Sequence, residues 1–366
     1  MTLGIISIET KQHQYDIMIG SDILSHLEKD LAPWLDITKK VIVLSDKNVA
    51  PLYKKTIEKS LDKKNVLFVT LPAGEKAKSF TTLKKVLEKI ISWRIDRKTL
   101  LIALGGGVVG DLGGFVASIT LRGIPFVQIP TTLLAQVDSS VGGKTAINSN
   151  FGKNLIGTFY QPVRVIIDIN FLKTLPLRER RAGYAEILKY GLINDSTFFE
   201  WCQKYAQKIL DGDNESLQKA ITYSCRAKAL IVSKDERETG IRALLNFGHT
   251  FGHALEAAAG YDSKILLHGE AVAYGIRLAA RLSVRLGMLV ADQATAIEEH
   301  LNGLKYPKTL KELLPDLTLN KNELLMAMES DKKTIGGKKT FILLNAIGDA
   351  VERRDVDDSD ILAVLS

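Results

Sequence analysis

The sequence predicts two domains: an α/β N-terminal domain built on a mostly parallel sheet, followed by an all-α C-terminal domain. Three observations carry this. The 366 residues exceed what one hydrophobic core usually serves. The first half alternates short β-branched runs with amphipathic helical patterns, the signature of parallel strands covered by helices. From Pro176 onward long helical patterns take over, and β-rich runs nearly vanish until "KTFILLNAIG" at 339–348. The expected domains are therefore residues 1–174 and 175–366.

In chain order, "KKVIVLSD" (39–46), "NVLFVTLP" (65–72), "TLLIALGGG" (99–107) and "PFVQIPT" (125–131) read as strands, and "VRVIIDINFL" (163–172) as the last of them. "FTTLKKVLEKIISW" (80–93) places its apolar residues at helical spacing. Beyond the boundary, "RERRAGYAEILKYGLI" and "GEAVAYGIRLAARLSVRLGML" read as long helices. No internal repeat or low-complexity tract interrupts either half.

Composition removes several classes of function. With 46% hydrophobic and 25% charged residues the chain reads as an ordinary globular protein. No run approaches the roughly eighteen apolar residues of a membrane helix. "MTLGIISIETKQHQ" lacks the basic start and apolar core of a secretory signal, so the expected location is the cytoplasm, with no membrane partner. The two cysteines, Cys202 and Cys225, stand in helical patterns without a CxxC pair and predict buried thiols. The charge of +7 is interspersed with acids and aromatics are only 7%, which argues against a nucleic-acid partner and leaves room for cations gathered around a small anion.

"ALGGGVVGDLGG" sets Gly105, Gly107 and Gly110 in GxGxxG spacing between a buried strand and a helix. Such a turn lets backbone approach a pyrophosphate at a helix N-terminus; a tight turn without ligand is the plain alternative. A standard dinucleotide fold places an acid about twenty residues further on, at the end of the next strand. Here that strand ends "VQIPTT", so Asp46 or Glu75 from upstream would have to supply the ribose contact. The stretch from Thr131 to Asn154 carries Thr131, Thr132, Asp138, Lys144, Lys153 and Asn154 among Gly and Ser, which fits a polar binding surface better than a core-filling connection.

In the second half, "GYAEILKYG" puts Glu186 and Lys189 one turn apart among apolar neighbours, where a buried acid needs a partner or a metal. "NFGHTFGHALE" puts His249 and His253 on one helix face, with Glu256 three residues after the second histidine. That spacing fits packed histidines as well as a metal site. "LLHGEAVAYG" adds His268 ahead of a small-residue helix. One glutamate and two histidines from separate segments match a catalytic zinc site with positions open to substrate.

Taken in order, "PAGEKAKS", "GGGVVGD", "RGIPFVQIPTTLLAQVDSSVGGKTAIN", "GKNLIG", "GYAEILKYG", "NFGHTFGHALE" and "HGEAVA" closely resemble the 3-dehydroquinate synthase family, over residues 40 to 345 or so. The resemblance implies an NAD-binding N-terminal domain, a metal-binding helical C-terminal domain and a homodimer. It implies Glu186, His249 and His268 as ligands of Zn2+, with Co2+ able to fill a similar site, and His253 beside them handling protons. NAD would lie against Asp46, Glu75, Lys78, Gly107, Val108, Val109, Gly110, Asp111, Thr131, Thr132 and Lys144, with Lys153 toward its nicotinamide end. Arg122, Asp138, Lys144, Asn154, Lys189, Lys228, Arg242 and Asn246 match positions around a small anionic sugar phosphate, Arg122 serving the neighbouring subunit's site. Lys332 or Lys333 matches a further phosphate contact. Ala73 departs from the acid or glycine that many members carry before "GE".

The implied reaction converts 3-deoxy-D-arabino-heptulosonate 7-phosphate to 3-dehydroquinate and phosphate. Transient oxidation at C5 acidifies the C6 hydrogen, phosphate leaves, the hydride returns, and ring opening with aldol closure completes the cycle. Three rivals stand beside it: a related cyclase acting on a sugar phosphate without a carboxylate, a polyol dehydrogenase resembling glycerol dehydrogenase, and an NAD-binding protein without catalysis. Arg242, Lys228 and His253 favour an acidic substrate, and Glu186 stands where the dehydrogenases usually carry an aspartate.

Overall fold

The structure, a computed structural model, describes residues 3–10, 13–61, 64–329 and 339–365. The chain divides into two compact units. One comprises Met1–Pro176 with Leu217–Arg237, the other Leu177–Ser216 with Glu238–Ser366. The segment Leu217–Arg237, which a sequential split assigns to the helical half, packs with the α/β unit. It is the later part of the helix Asn214–Lys234, and nothing in a continuous helical pattern marks where its neighbours change.

The first unit is built on a seven-stranded sheet. Its strands are β1 (Gly4–Glu9), β2 (Gln14–Gly20), β3 (Lys40–Asp46), β4 (Asn65–Leu71), β5 (Leu100–Gly105), β6 (Phe126–Pro130) and β9 (Arg164–Asp168). They lie in the order β1-β2-β9-β6-β5-β3-β4, and every pairing is parallel except β1 with β2. The central strands are apolar on both faces, as a sheet sandwiched between helices requires. Ile42, Leu44, Leu101 and Ala103 pack with Leu83, Val86 and Ile90 of the helix Phe80–Ser92 and with Val109, Leu112 and Val116 of the helix Gly107–Ile119. Val41, Val43, Ile102 and Leu104 alternate with them and pack on the other face against Leu27, Ile57 and Phe171.

A separate antiparallel hairpin, β7 (Lys144–Ser149) with β8 (Gly152–Phe159), rests on the Gly107–Ile119 helix. It overlaps the polar stretch from Thr131 to Asn154, in which the sequence marks no strand. Its strands mix Lys, Asn and Gly with apolar residues, so no alternation announces them.

The second unit is helical, around the helices Leu177–Asn194, Ser196–Asp211, His249–Ala258, His268–Arg285 and Ala291–Gly303. It also carries one small antiparallel hairpin among the described residues, β10 (Phe341–Ala346), from the β-rich run of this half, with β11 (Asp349–Arg353). The Leu177–Asn194 helix is buried continuously from Ala182 to Ile193, so it runs through the core of its unit. The next helix starts at once, capped by Asp195, whose carboxylate accepts from the Thr197 and Phe198 amides at 2.9 and 3.2 Å.

Candidate active site

The sheet order brings an acid from earlier in the chain beside the glycine turn. β5 carries the glycines, and β3, its direct neighbour, ends at Asp46. The chain runs outward from β3 to β4 and then crosses back to β5, so the β3/β5 boundary is a topological switch point. Asp46 thus occupies the strand end beside the glycine strand, although it comes earlier in the sequence. Its Oδ1 accepts from the Asn48 and Val49 amides at 2.7 and 3.0 Å, which fixes the carboxylate at the strand end.

The glycine turn has mixed duties. Gly107 and Val108 are part-exposed at the start of their helix, whereas Val109 is a core residue. A Cβ on Gly110 would lie 2.7 Å from Gln128 Oε1 of β6, so this glycine lets the helix lie close against the sheet.

Lys78 is the hub of a polar network beside the turn. Only 3% exposed, it donates to Asp111 Oδ2 at 2.7 Å and to Asn154 Oδ1, and lies 3.5 Å from Glu75 Oε1. Burial disfavours its charge, but Asp111 and Glu75 outweigh this and raise its pKa. Asn148, absent from the sequence-derived candidates, ties the network together by donating to Glu75 at 2.8 Å and accepting from the Asn154 amide at 2.9 Å. Asn154 holds a left-handed φ of 56°, which asparagine tolerates better than most residues.

The connection between β6 and β7 holds a second cation, carried by the helix Asn214–Lys234. Lys228 donates to both the backbone oxygen and Oδ1 of Asp138, at 2.8 and 2.9 Å, with Asp138 in a π-helical turn, Ala135–Ser139. The Thr131 amide donates to Gly105 O at 3.0 Å, and Thr132 Oγ1 accepts from the Ala135 amide at 3.2 Å, joining this turn to the glycine strand. Lys144 and Lys153 stand on the hairpin, and Arg122 lies on an exposed segment with successive positive φ values of 50°, 67° and 119° at Leu121, Arg122 and Gly123.

The second unit brings Glu186, His249 and His268 together, with one ligand atom from each lying within 4.8 Å of the others. Glu186 Oε1 is 3.4 Å from His249 Nε2 and 3.6 Å from His268 Nε2, and its Oε2 pairs with the buried ammonium of Lys189. Each Nδ1 is already engaged, that of His249 with Phe247 O at 3.1 Å and that of His268 with Glu256 Oε2 at 3.0 Å. Burial alone would lower the His268 pKa, but the carboxylates of Glu256 and Glu186 raise it to about 10, so the pocket favours positive charge.

Three helices make this convergence possible. His249 and His268 are each the first residue of a helix, and Glu186 lies mid-helix. The His268–Arg285 helix touches both others at glycines: a Cβ on Gly269 would lie 1.9 Å from Ala182 O, and one on Gly275 2.0 Å from Gly248 O. Arg178 fixes the approach to His268 through two 2.7 Å bonds to Glu270 and two 3.0 Å bonds to the carbonyls of Lys264 and Ile265.

His253 lies beside the trio, its ring 5.5 Å from His249 and 6.1 Å from His268. A second group, His253 with Glu256 and His268, is also close enough for a metal. The first group fits better, because its two imidazoles are held through Nδ1 and present Nε2, the arrangement in which an outer hydrogen bond sets each ligand's tautomer. Arg242 is buried, and Asn246 donates to Glu238 Oε1 at 3.0 Å, a partner not among the sequence-derived candidates. Lys332 and Lys333 lie outside the described residues.

Comparison with known proteins places this geometry in a family. Residues 68–182 match the 3-dehydroquinate synthase N-terminal model and residues 183–334 the 3-dehydroquinate synthase C-terminal model. The 3-dehydroquinate synthase of Rhizobium meliloti (strain 1021) is 49% identical over 363 residues, covering 99% of this chain and 96% of that one. The chain belongs to the 3-dehydroquinate synthase family.

Solved structures similar to this family member include a 2-deoxy-scyllo-inosose synthase complexed with carbaglucose-6-phosphate, NAD+ and Co2+, with a TM-score of 0.88, 26% identity and 99% of each chain covered. Another is 2-epi-5-epi-valiolone synthase from Streptomyces hygroscopicus subsp. jinggangensis 5008 with NAD+ and Zn2+ bound, with a TM-score of 0.86, 28% identity, and 98% and 97% of the two chains covered. The 3-dehydroquinate synthase relative is thus much nearer in sequence than either cyclase.

Proposed function

We infer that this chain converts 3-deoxy-D-arabino-heptulosonate 7-phosphate to 3-dehydroquinate and inorganic phosphate, a carbon–oxygen lyase step of the shikimate pathway toward chorismate and the aromatic amino acids. The observation that carries this is the convergence of Glu186, His249 and His268, in a chain 49% identical along nearly its whole length to a 3-dehydroquinate synthase.

The donor set suits a divalent metal: one carboxylate oxygen and two imidazole Nε2 atoms, each imidazole anchored through Nδ1. Asp46 and the Gly107–Asp111 turn at the switch point suit NAD, with Glu75, Lys78, Thr131, Thr132, Lys144 and Lys153 around it. When bound, the nicotinamide takes up and returns a hydride while Zn2+ or Co2+ acts as a Lewis acid toward the substrate's hydroxyl oxygens.

The remaining roles fall to side chains. Lys144, Asn154, Lys189, Lys228, Arg242, Asn246 and, from a second copy, Arg122 bind the phosphate, carboxylate and hydroxyls. Asp138 holds the Lys228 ammonium in place through its 2.9 Å bond. His253, beside the two ligand histidines, moves protons. A homodimer follows from the role given to Arg122, which serves the site of a second copy. The cytoplasm is the location that suits a biosynthetic enzyme using NAD; among the described residues no helix is long and apolar enough to cross a membrane.

The test is phosphate release by the purified protein with NAD and Zn2+, comparing 3-deoxy-D-arabino-heptulosonate 7-phosphate with a heptulose 7-phosphate lacking the carboxylate. Turnover of the acid alone is expected. Preference for the neutral sugar would overturn the assignment in favour of another sugar-phosphate cyclase.

A further inference from the structure

We propose that Glu256 is a positioning residue for the metal site, holding His268 in the tautomer and orientation that direct its Nε2 toward Glu186. The proposal rests on the metal reading above and extends it to a residue that is not itself a ligand.

Glu256 lies in the second half of the His249–Ala258 helix and is 3% exposed. Its Oε2 sits 3.0 Å from His268 Nδ1. A carboxylate accepts and does not donate when ionised, so the contact keeps a proton on Nδ1 and makes Nε2 the nitrogen that gives up its proton to a metal. Nε2 is the atom that faces Glu186, at 3.6 Å. The spacing in "NFGHTFGHALE" brings Glu256 near His253, yet its side chain serves a histidine twelve residues further along the chain.

The two ligand imidazoles differ in what else restrains them. The His249 side chain is 10% exposed and its Nδ1 meets a neutral carbonyl, Phe247 O. The His268 side chain is 32% exposed, so packing encloses it less. The less enclosed ring receives the charged partner. A carboxylate on Nδ1 also makes the imidazole a stronger donor at Nε2, and loss of such a partner typically weakens metal binding by roughly 10–100-fold. The same contact argues against Glu256 acting as a ligand with His253, since that role would require it to turn from the ring it orients.

The test measures Zn2+ affinity by chelator competition on the full-length protein, metal-stripped and reloaded, together with the visible spectrum of the Co2+ form. Glu256→Gln keeps the volume and an acceptor but removes the charge; Glu256→Ala removes both. We expect Zn2+ affinity to fall about 10-fold in the first and toward 100-fold in the second, with a shifted Co2+ spectrum and unchanged NAD binding. Phe251→Leu, on the same helix and packed against Phe341, is the control for general loosening; it should unfold at lower temperature yet bind Zn2+ as the parent does. Parental Zn2+ affinity and Co2+ spectrum in Glu256→Gln would overturn the proposal, as would an equal loss of affinity in Phe251→Leu. If Glu256→Ala does not fold, Glu256→Gln decides alone. A parent protein that binds neither metal would overturn the metal reading itself, and this proposal with it.

Discussion

Glu186 has no exposed surface, and its carboxylate is shared between the Lys189 ammonium and two imidazoles. A buried carboxylate surrounded by cation donors is costly unless each of them is in place. Glu186→Ala and His249→Ala should therefore lose bound metal and turnover together, which metal analysis beside a rate assay will show; a variant free of metal yet fully active would contradict the site. Lys78 is the corresponding buried charge of the other unit. Replacing it with Met leaves Asp111 and Glu75 without their shared cation, for an expected loss of roughly 3 kcal/mol in urea unfolding. His300 gives a pH signature. Burial lowers its pKa to about 4, and it shares a 2.8 Å hydrogen bond with Tyr184. Because the folded value lies below the unfolded one near 6.5, its contribution is complete above about pH 6.5 and is lost as pH falls toward 4, amounting to about 3 kcal/mol. Thermal unfolding at pH 7 and pH 4.5 should show a steeper loss in the parent than in His300→Gln.

The convergence of Glu186, His249 and His268 depends on how closely three helices approach. Gly275 is the contact between the His268–Arg285 helix and Gly248, the residue before His249. Gly275→Ala would put a Cβ 2.0 Å from the Gly248 carbonyl oxygen, so the helices must separate. We expect a loss of roughly 1–3 kcal/mol and weaker Zn2+ binding, measured by thermal unfolding and chelator competition. Unchanged stability and affinity would mean that the helices tolerate separation. The small residues of "GEAVAYG" are plain in the sequence, but which backbone they admit is not. The same limit applies to side-chain partners. His249 and His253 are legible as a pair, whereas Glu256 on His268, Asp138 on Lys228 and Asn148 on Glu75 join segments whose proximity only the fold creates. The β7–β8 hairpin was hidden for another reason: its polar and glycine-rich strands lack an alternating apolar face.

Across the whole molecule, β3, β4, β5, β6 and β9 were legible because strands buried on both faces read as unbroken apolar runs. Their order in space was not, and that order explains the site. Asp46 stands at the end of β3, earlier in the chain than the glycine turn and adjacent to its strand in the sheet. The inclusion of Leu217–Arg237 in the α/β unit likewise lets Lys228, from the second half of the sequence, meet Asp138 within that unit. In the inferred reaction one substrate is oxidised and reduced in a single cycle with no net change in the nucleotide. The most direct measurement follows inorganic phosphate, 3-dehydroquinate and NADH together while purified protein with Zn2+ and NAD consumes 3-deoxy-D-arabino-heptulosonate 7-phosphate. We expect phosphate and 3-dehydroquinate in equal amounts with no accumulating NADH. NADH rising in step with substrate loss would contradict the claim and mark the protein as a dehydrogenase.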